Sequence, residues 1–193
     1  MGVELDIINS MLAGVGESAV TSAESLHPSC VAAKAVLRRV DKAIQGRGWY
    51  FNTELAQILQ PNSVKEILVP EGTLSIQATD EGVDVVQRGR VLYDIQNKTT
   101  EFESAVSVRR IARVQFDYLP PQAAEYIRAK AVYEFFLEED GEGTKTQALA
   151  QAVAEAHMHL KAEHIKWQKT NSLRSPRALR VMFTRSASRG RRF

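Results

Sequence analysis

The sequence predicts an α+β fold: an antiparallel helical bundle with an inserted small β-domain and an extended C-terminal arm. Three observations carry this. Apolar residues recur at helical spacing near both ends of residues 1–170. Between those stretches, residues 49–116 break into short β-branched and aromatic runs punctuated by Pro and Gly. Residues 171–193 contain seven Arg and no Asp or Glu. The expected organisation is therefore residues 1–48 and 117–170 as the two parts of the bundle, 49–116 as the β-rich insert, and 171–193 as a basic arm.

Val3 to Val15 reads as a short helix, with Ile8, Leu12 and Val15 at four- and three-residue spacing and Gly14 and Gly16 to end it. Pro28, suited to a first helical turn, opens a second helix whose stripe is Val36, Val40, Ala43 and Ile44 and whose stop is Gly46 and Gly48. Strands are expected at Trp49–Asn52, Val64–Val69, Leu74–Ala78, Val83–Arg88, Val91–Ile95 and Val106–Ile111. Gln87-Arg88-Gly89-Arg90 reads as a hairpin turn, because Gly89 is free to adopt positive φ. After Pro120-Pro121, Ala124, Ile127, Ala131 and Phe135 share one helical face. Gly141 and Gly143 break that helix, and Thr144 can cap a last one reaching about Lys169, with Leu149, Val153, Ala156, Leu160 and Trp167 along a heptad-like seam.

Charge is distributed unevenly. The seven arm arginines leave 18 basic against 23 acidic residues in positions 1–170, a net of −5. An acidic body with a cationic tail seeks an anionic partner, either nucleic acid or an acidic protein surface. Leu173, Leu179, Val181, Met182, Phe183 and Phe193 lie between the arginines. That mixture suits docking onto protein better than a plain polycation would. No apolar run approaches the length of a membrane span. The start Met1-Gly2-Val3-Glu4 lacks a basic region followed by an apolar one, so no secretory signal is expected. A single Cys30 allows no intrachain disulfide, in keeping with synthesis in a reducing cytoplasm.

Candidate chemistry is sparse. The chain has no nucleophile elbow, phosphate-binding lysine loop, H-E-x-x-H or C-x-x-C, so neither an enzyme nor a cofactor is expected. His157, His159 and His164 lack the i, i+4 spacing of a helical zinc site and read as the exposed face of a long helix. The acidic run Glu138-Glu139-Asp140-x-Glu142 fails the calcium-loop pattern, since Lys145 and Gln151 stand where Gly and Glu are required. It reads as a solvated loop that can also receive an Arg arm from another subunit. Trp49 and Phe51 are expected to anchor the bundle to the β-domain, with contact to a neighbouring subunit as the alternative. Arg47, between two glycines, is expected to cap helix-end carbonyls or pair with a carboxylate, rather than bind phosphate.

Three segments carry a family resemblance. Ile7-Ile8-Asn9-Ser10-Met11-Leu12-Ala13-Gly14-Val15-Gly16-Glu17 is similar to an opening helix that ends in Leu-Ala and a Gly-Glu turn. Ile44-Gln45-Gly46-Arg47-Gly48-Trp49-Tyr50-Phe51-Asn52 resembles an "IQxRGWxFN" signature. Leu119-Pro120 is followed by Ile127, Lys130-Ala131 and Phe135 in a third matching piece. Together with length and element order, these resemble the tail tubular protein A family, the head-to-tail adaptors of autographivirus-type short-tailed bacteriophages. Residues 137–147 and the Arg-rich arm correspond least.

The resemblance implies a virion protein made in the host bacterial cytoplasm. It implies a dodecameric homo-oligomeric ring between the portal protein and the tail nozzle protein (tail tubular protein B). It also implies attachment surface for the tail fibre protein, and a lumen through which genomic DNA passes without specific binding. The arm residues Arg174, Arg177, Leu179, Arg180, Met182, Phe183 and Arg185 are then expected to dock onto the portal. The alternative is a nucleic-acid-binding module that acts through this arm. A glycan-degrading tail enzyme is a third class, and no motif points to it.

Overall fold

The computed structural model describes residues 2–80, 82–139, 143 and 145–174, the last four by their backbone alone. Helix α1 spans Val3–Gly14 and buries Ile7, Ile8, Met11 and Leu12 along one side. It ends as its glycines require. Gly16 sits at φ +79°, the Gly16 N–H reaches Ala13 O at 3.3 Å, and the Glu17 N–H reaches Leu12 O at 2.9 Å. That left-handed residue satisfies the last carbonyls of the helix. Helix α2 spans Pro28–Gln45, with Pro28 in its first turn. Helix α3 spans Pro121–Glu139 and α4 spans Thr146–Arg174.

Helix α3 is the centre of the bundle and packs against α1, α2 and α4. Its Ile127, Ala131 and Phe135 meet Met11 and Leu12 of α1, Leu37 of α2 and Leu160 of α4 in one continuous core. Of the expected α4 seam, Ala156 and Leu160 are buried and Leu149 and Val153 pack against the core as half-buried residues. Trp167 instead lies 43% exposed.

The insert has its own core of Leu59, Ile67, Val69, Ile76, Leu92, Phe102, Val106 and Val108. Strands β1 (Thr53–Leu59), β2 (Thr73–Ala78) and β5 (Val106–Ala112) form an antiparallel sheet with β5 in the middle. Strands β3 (Val85–Arg88) and β4 (Val91–Asp94) form a hairpin, and Arg88 faces Val91 across Gly89-Arg90. Gly89 takes φ +63°, as the tight turn demands. The fold is thus α+β.

Four local expectations need correction. Trp49–Asn52 is turn rather than strand, because Gly48 is at φ +75° and the Asn52 side chain folds back onto the turn. Strand β1 follows at Thr53 and was hidden by a bulge. Ala56 lies at φ +55° and the register with β5 shifts between Glu54 and Gln57, which breaks period-two alternation. Residues 64–69 contribute only the isolated bridges Glu66–Glu101 and Leu68–Val91, although Ile67 and Val69 are buried. Finally, α4 runs past Lys169 to Arg174. No breaker precedes Pro176, whose ring disfavours helix at the residue before it. Thr144 lies outside the described residues; Thr146 Oγ1 accepts the Gly143 N–H at 2.9 Å.

Two stability predictions follow from this packing. Leu160 is fully buried against α3, so Leu160→Ala should cost about 2–5 kcal/mol in urea unfolding. Met158→Ala, two residues away on the opposite, solvent side of the helix, should stay within about 0.5 kcal/mol. In the hairpin, Asp94 accepts the backbone N–H groups of Asn97 and Gln96 and the Asn97 side-chain amide. These bonds, that to the Asn97 backbone first, hold its carboxyl below the ordinary value. The resulting stability is present above the ordinary carboxylate pKa of about 4 and is lost as pH falls through the lower folded value. Asp94→Asn should therefore flatten the acid side of a melting-temperature profile.

Candidate functional site

The sharpest constellation in the molecule lies where α2 hands the chain to the sheet. Gln45 ends α2 completely buried, one helical turn after buried Asp41. The Gln45 amide Nε2 donates to Asp41 Oδ1 at 2.6 Å and to Val114 O at 2.8 Å, and its Oε1 accepts the Val114 N–H at 2.8 Å. One side chain therefore pairs with both backbone groups of the residue that re-enters the bundle. Asp41 Oδ2 in turn accepts Arg113 Nε at 2.8 Å. Each buried polar atom of Gln45 and Asp41 has a partner, which a low-dielectric site requires.

The turn itself is closed by Asn52. Its Oδ1 accepts the Trp49 N–H at 2.7 Å, and its Nδ2 donates to Gln45 O at 2.9 Å. Gly48 is demanded twice. Its φ is +75°, and a Cβ there would stand 2.8 Å from Ile111 Cδ1 and 3.3 Å from Thr53 Oγ1. Trp49 is 6% exposed and donates Nε1–H to Ile44 O at 2.8 Å.

Helix α4 completes the junction. His164 Nδ1 accepts the Tyr50 N–H at 3.1 Å, and its Nε2 lies 2.9 Å from the Gln168 side-chain amide nitrogen. The Trp49 ring meets His164 and His157 edge-on, with centroids 5.5 and 6.2 Å apart. His157 also stacks on Tyr126 at 5.0 Å. The expectation of an exposed histidine face therefore holds only for His159. His157 and His164 are half-buried, because Trp49 reaches across to α4, a contact that spacing along one helix does not reveal. The phenol of Tyr50 is pushed above its ordinary pKa by burial first and by the Glu163 charge second.

The three junction residues singled out from sequence fall in different places. Trp49 is in the bundle core and Phe51 packs against it half-buried. Arg47 is exposed and has no side-chain hydrogen bond or ion pair with any described residue, so it caps no carbonyl and holds no carboxylate there. The helix end is satisfied by Gly46, Gly48 and Asn52 instead. Of the arm residues, Arg174 ends α4 as backbone, and Arg177, Leu179, Arg180, Met182, Phe183 and Arg185 lie outside the described residues. Asp41, Gln45 and Asn52 form a network that no local sequence pattern announces. Its one trace is a pair of polar residues, four apart, on the apolar side of α2.

Gln45→Leu would leave the Val114 N–H and C=O and the Asp41 Oδ1 atom unpaired, with Asp41 Oδ2 still held by Arg113. The expected cost is about 1–3 kcal/mol for each stranded group, read by chemical denaturation. Gly48→Ala should cost more than Gly89→Ala, because both sit at positive φ but only the first has Ile111 in the way.

Among the described residues no helix is long and apolar enough to cross a membrane, and no group of His, Cys, Asp and Glu could hold a metal ion. The tail tubular protein family matches residues 5–170. The chain is also 25% identical, over 178 residues, to the tail tubular protein A of Klebsiella phage KP34, covering 92% of this chain and 95% of that protein. The matched span takes in both parts of the bundle, the sheet and the junction between them, and stops where the arginine-rich segment begins. The chain therefore belongs to the tail tubular protein family, as a structural component of a bacteriophage tail and not an enzyme.

Proposed function

We propose that the chain is the head-to-tail adaptor of a short-tailed phage. A dodecameric ring of it joins the portal protein to the tail nozzle protein, offers attachment surface to the tail fibre protein and lets genomic DNA pass through its lumen. The family match over residues 5–170 carries this reading. The charge division supports it: a body of net −5 suits packing among other proteins, and the seven-arginine segment beyond it suits a separate anionic partner.

The arm from Asn171 to Phe193 is the portal-docking element. Ordering it costs on the order of 1–2 kcal/mol per backbone residue. Arginine pairing to an acidic surface offsets that only with burial of Leu179, Val181, Met182 and Phe183 alongside. Arms on one ring act together, so modest affinity per arm still gives a lasting joint. Lumenal arginines gripping phosphate would brake the DNA that must slide past, which favours the protein partner.

A chain ending at Thr170 tests this. It loses only the last turn of α4 and keeps Ala156 and Leu160 in the core, so it should fold with a strongly helical circular dichroism spectrum and a cooperative melt, yet fail to join portal-containing heads. Normal joining by the truncated chain would remove the arm from the reading. Salt-dependent binding of free DNA that disappears with the truncation would favour the nucleic-acid-binding alternative.

A further inference from the structure

Helix α4 is apolar on two opposite sides. One side is the seam packed on α3. The other, facing solvent, carries Ala154, Met158, Ala162 and Ile165 at spacings of four, four and three, with Met158 63% and Ile165 39% exposed. An outward apolar stripe of this kind marks a contact surface. Helix α2 presents a mixed apolar and cationic face on its side away from the core, where Val31, Ala35, Arg38 and Lys42 are exposed at spacings of four, three and four. Leu26, 91% exposed, stands just before it. Both helices flank α3, so these two faces point away from the bundle in different directions.

We infer that these two faces meet between neighbouring copies of this chain, α2 of one against α4 of the next, running antiparallel. This rests on the ring reading above. The occupant is argued from charge and spacing. Setting Val31 against Ile165 brings Arg38 opposite Met158, and Lys42 beside Ala154 and Glu155, because both helices rise about 1.5 Å per residue. Lys42 and Glu155 are exposed and opposite in sign. Ala35 and Ala162 are small, which lets the helix axes approach closely in the middle. The contact joins two different surfaces, so it propagates from copy to copy rather than stopping at a dimer, as a ring requires.

The test uses the full chain bound to portal-containing heads and treated with a short bismaleimide. The variant Val31→Cys/Ile165→Cys should cross-link into a ladder extending beyond dimer, and neither single variant should; native Cys30 is completely buried. Within that variant, Lys42→Glu or Glu155→Lys alone should lose the ladder, and the two together should restore it. All these positions are exposed, and circular dichroism checks that each variant folds. Native mass spectrometry of the unaltered chain on the same heads separates the outcomes. A ring with no ladder from the double-cysteine variant overturns this contact and leaves the adaptor reading standing. Dimers from Ile165→Cys alone would mean two α4 helices pair with each other, and would also overturn it. An unaltered chain that stays monomeric on the heads removes the ring and this contact together.

Discussion

The side-chain amide of Gln45 is the constraint on which the architecture depends. The bundle and the sheet have separate hydrophobic cores, and apolar burial alone does not dictate how two cores are oriented. Directional bonds do. By taking both backbone groups of Val114 and a carboxylate of its own helix, Gln45 ties the exit from the sheet to the end of α2. Asn52 ties the entrance to the same point. Insert and bundle are thus joined at one place by bonds that tolerate little error in distance or angle.

Helix α4 extends that constraint into the second half of the bundle. Its inner face is held by Leu160 against α3, and its His164 accepts a backbone proton from the turn after α2. Trp49 fills the space between them with its indole nitrogen satisfied. In the proposed ring, a subunit must present its surfaces at fixed angles to its neighbours, so a rigid joint between bundle and insert would serve assembly as well as stability.

The two-sided character of α4 and the arginine-rich segment beyond it express one division of labour. Interior apolar residues hold a subunit together, while outward apolar residues on regular helices suit contacts between copies with repeated geometry. Mixed cationic and apolar residues, as in the sequence of residues 171–193, suit the separate partner proposed for that segment. The acidic body and cationic arm keep these roles apart electrostatically.

The sequence by itself determined the helices and their order, the β-rich character of the insert and the β3–β4 hairpin. Helical periodicity, the Pro28 start, the Gly14–Gly16 and Gly46–Gly48 stops and the Gly89 hairpin are local signals set by backbone sterics, and the chain states them locally. What tertiary structure alone decided is non-local. The bulge at Ala56 scrambled the alternation that would have revealed β1. The inward turn of Trp49 made His157 and His164 packing residues rather than surface, and left Arg47 outside. Asp41, Gln45, Asn52 and Arg113 became one network only when residues up to 72 apart were brought together. A hydrogen bond has its energy in the last tenths of an ångström, and distance along the chain carries no record of that proximity.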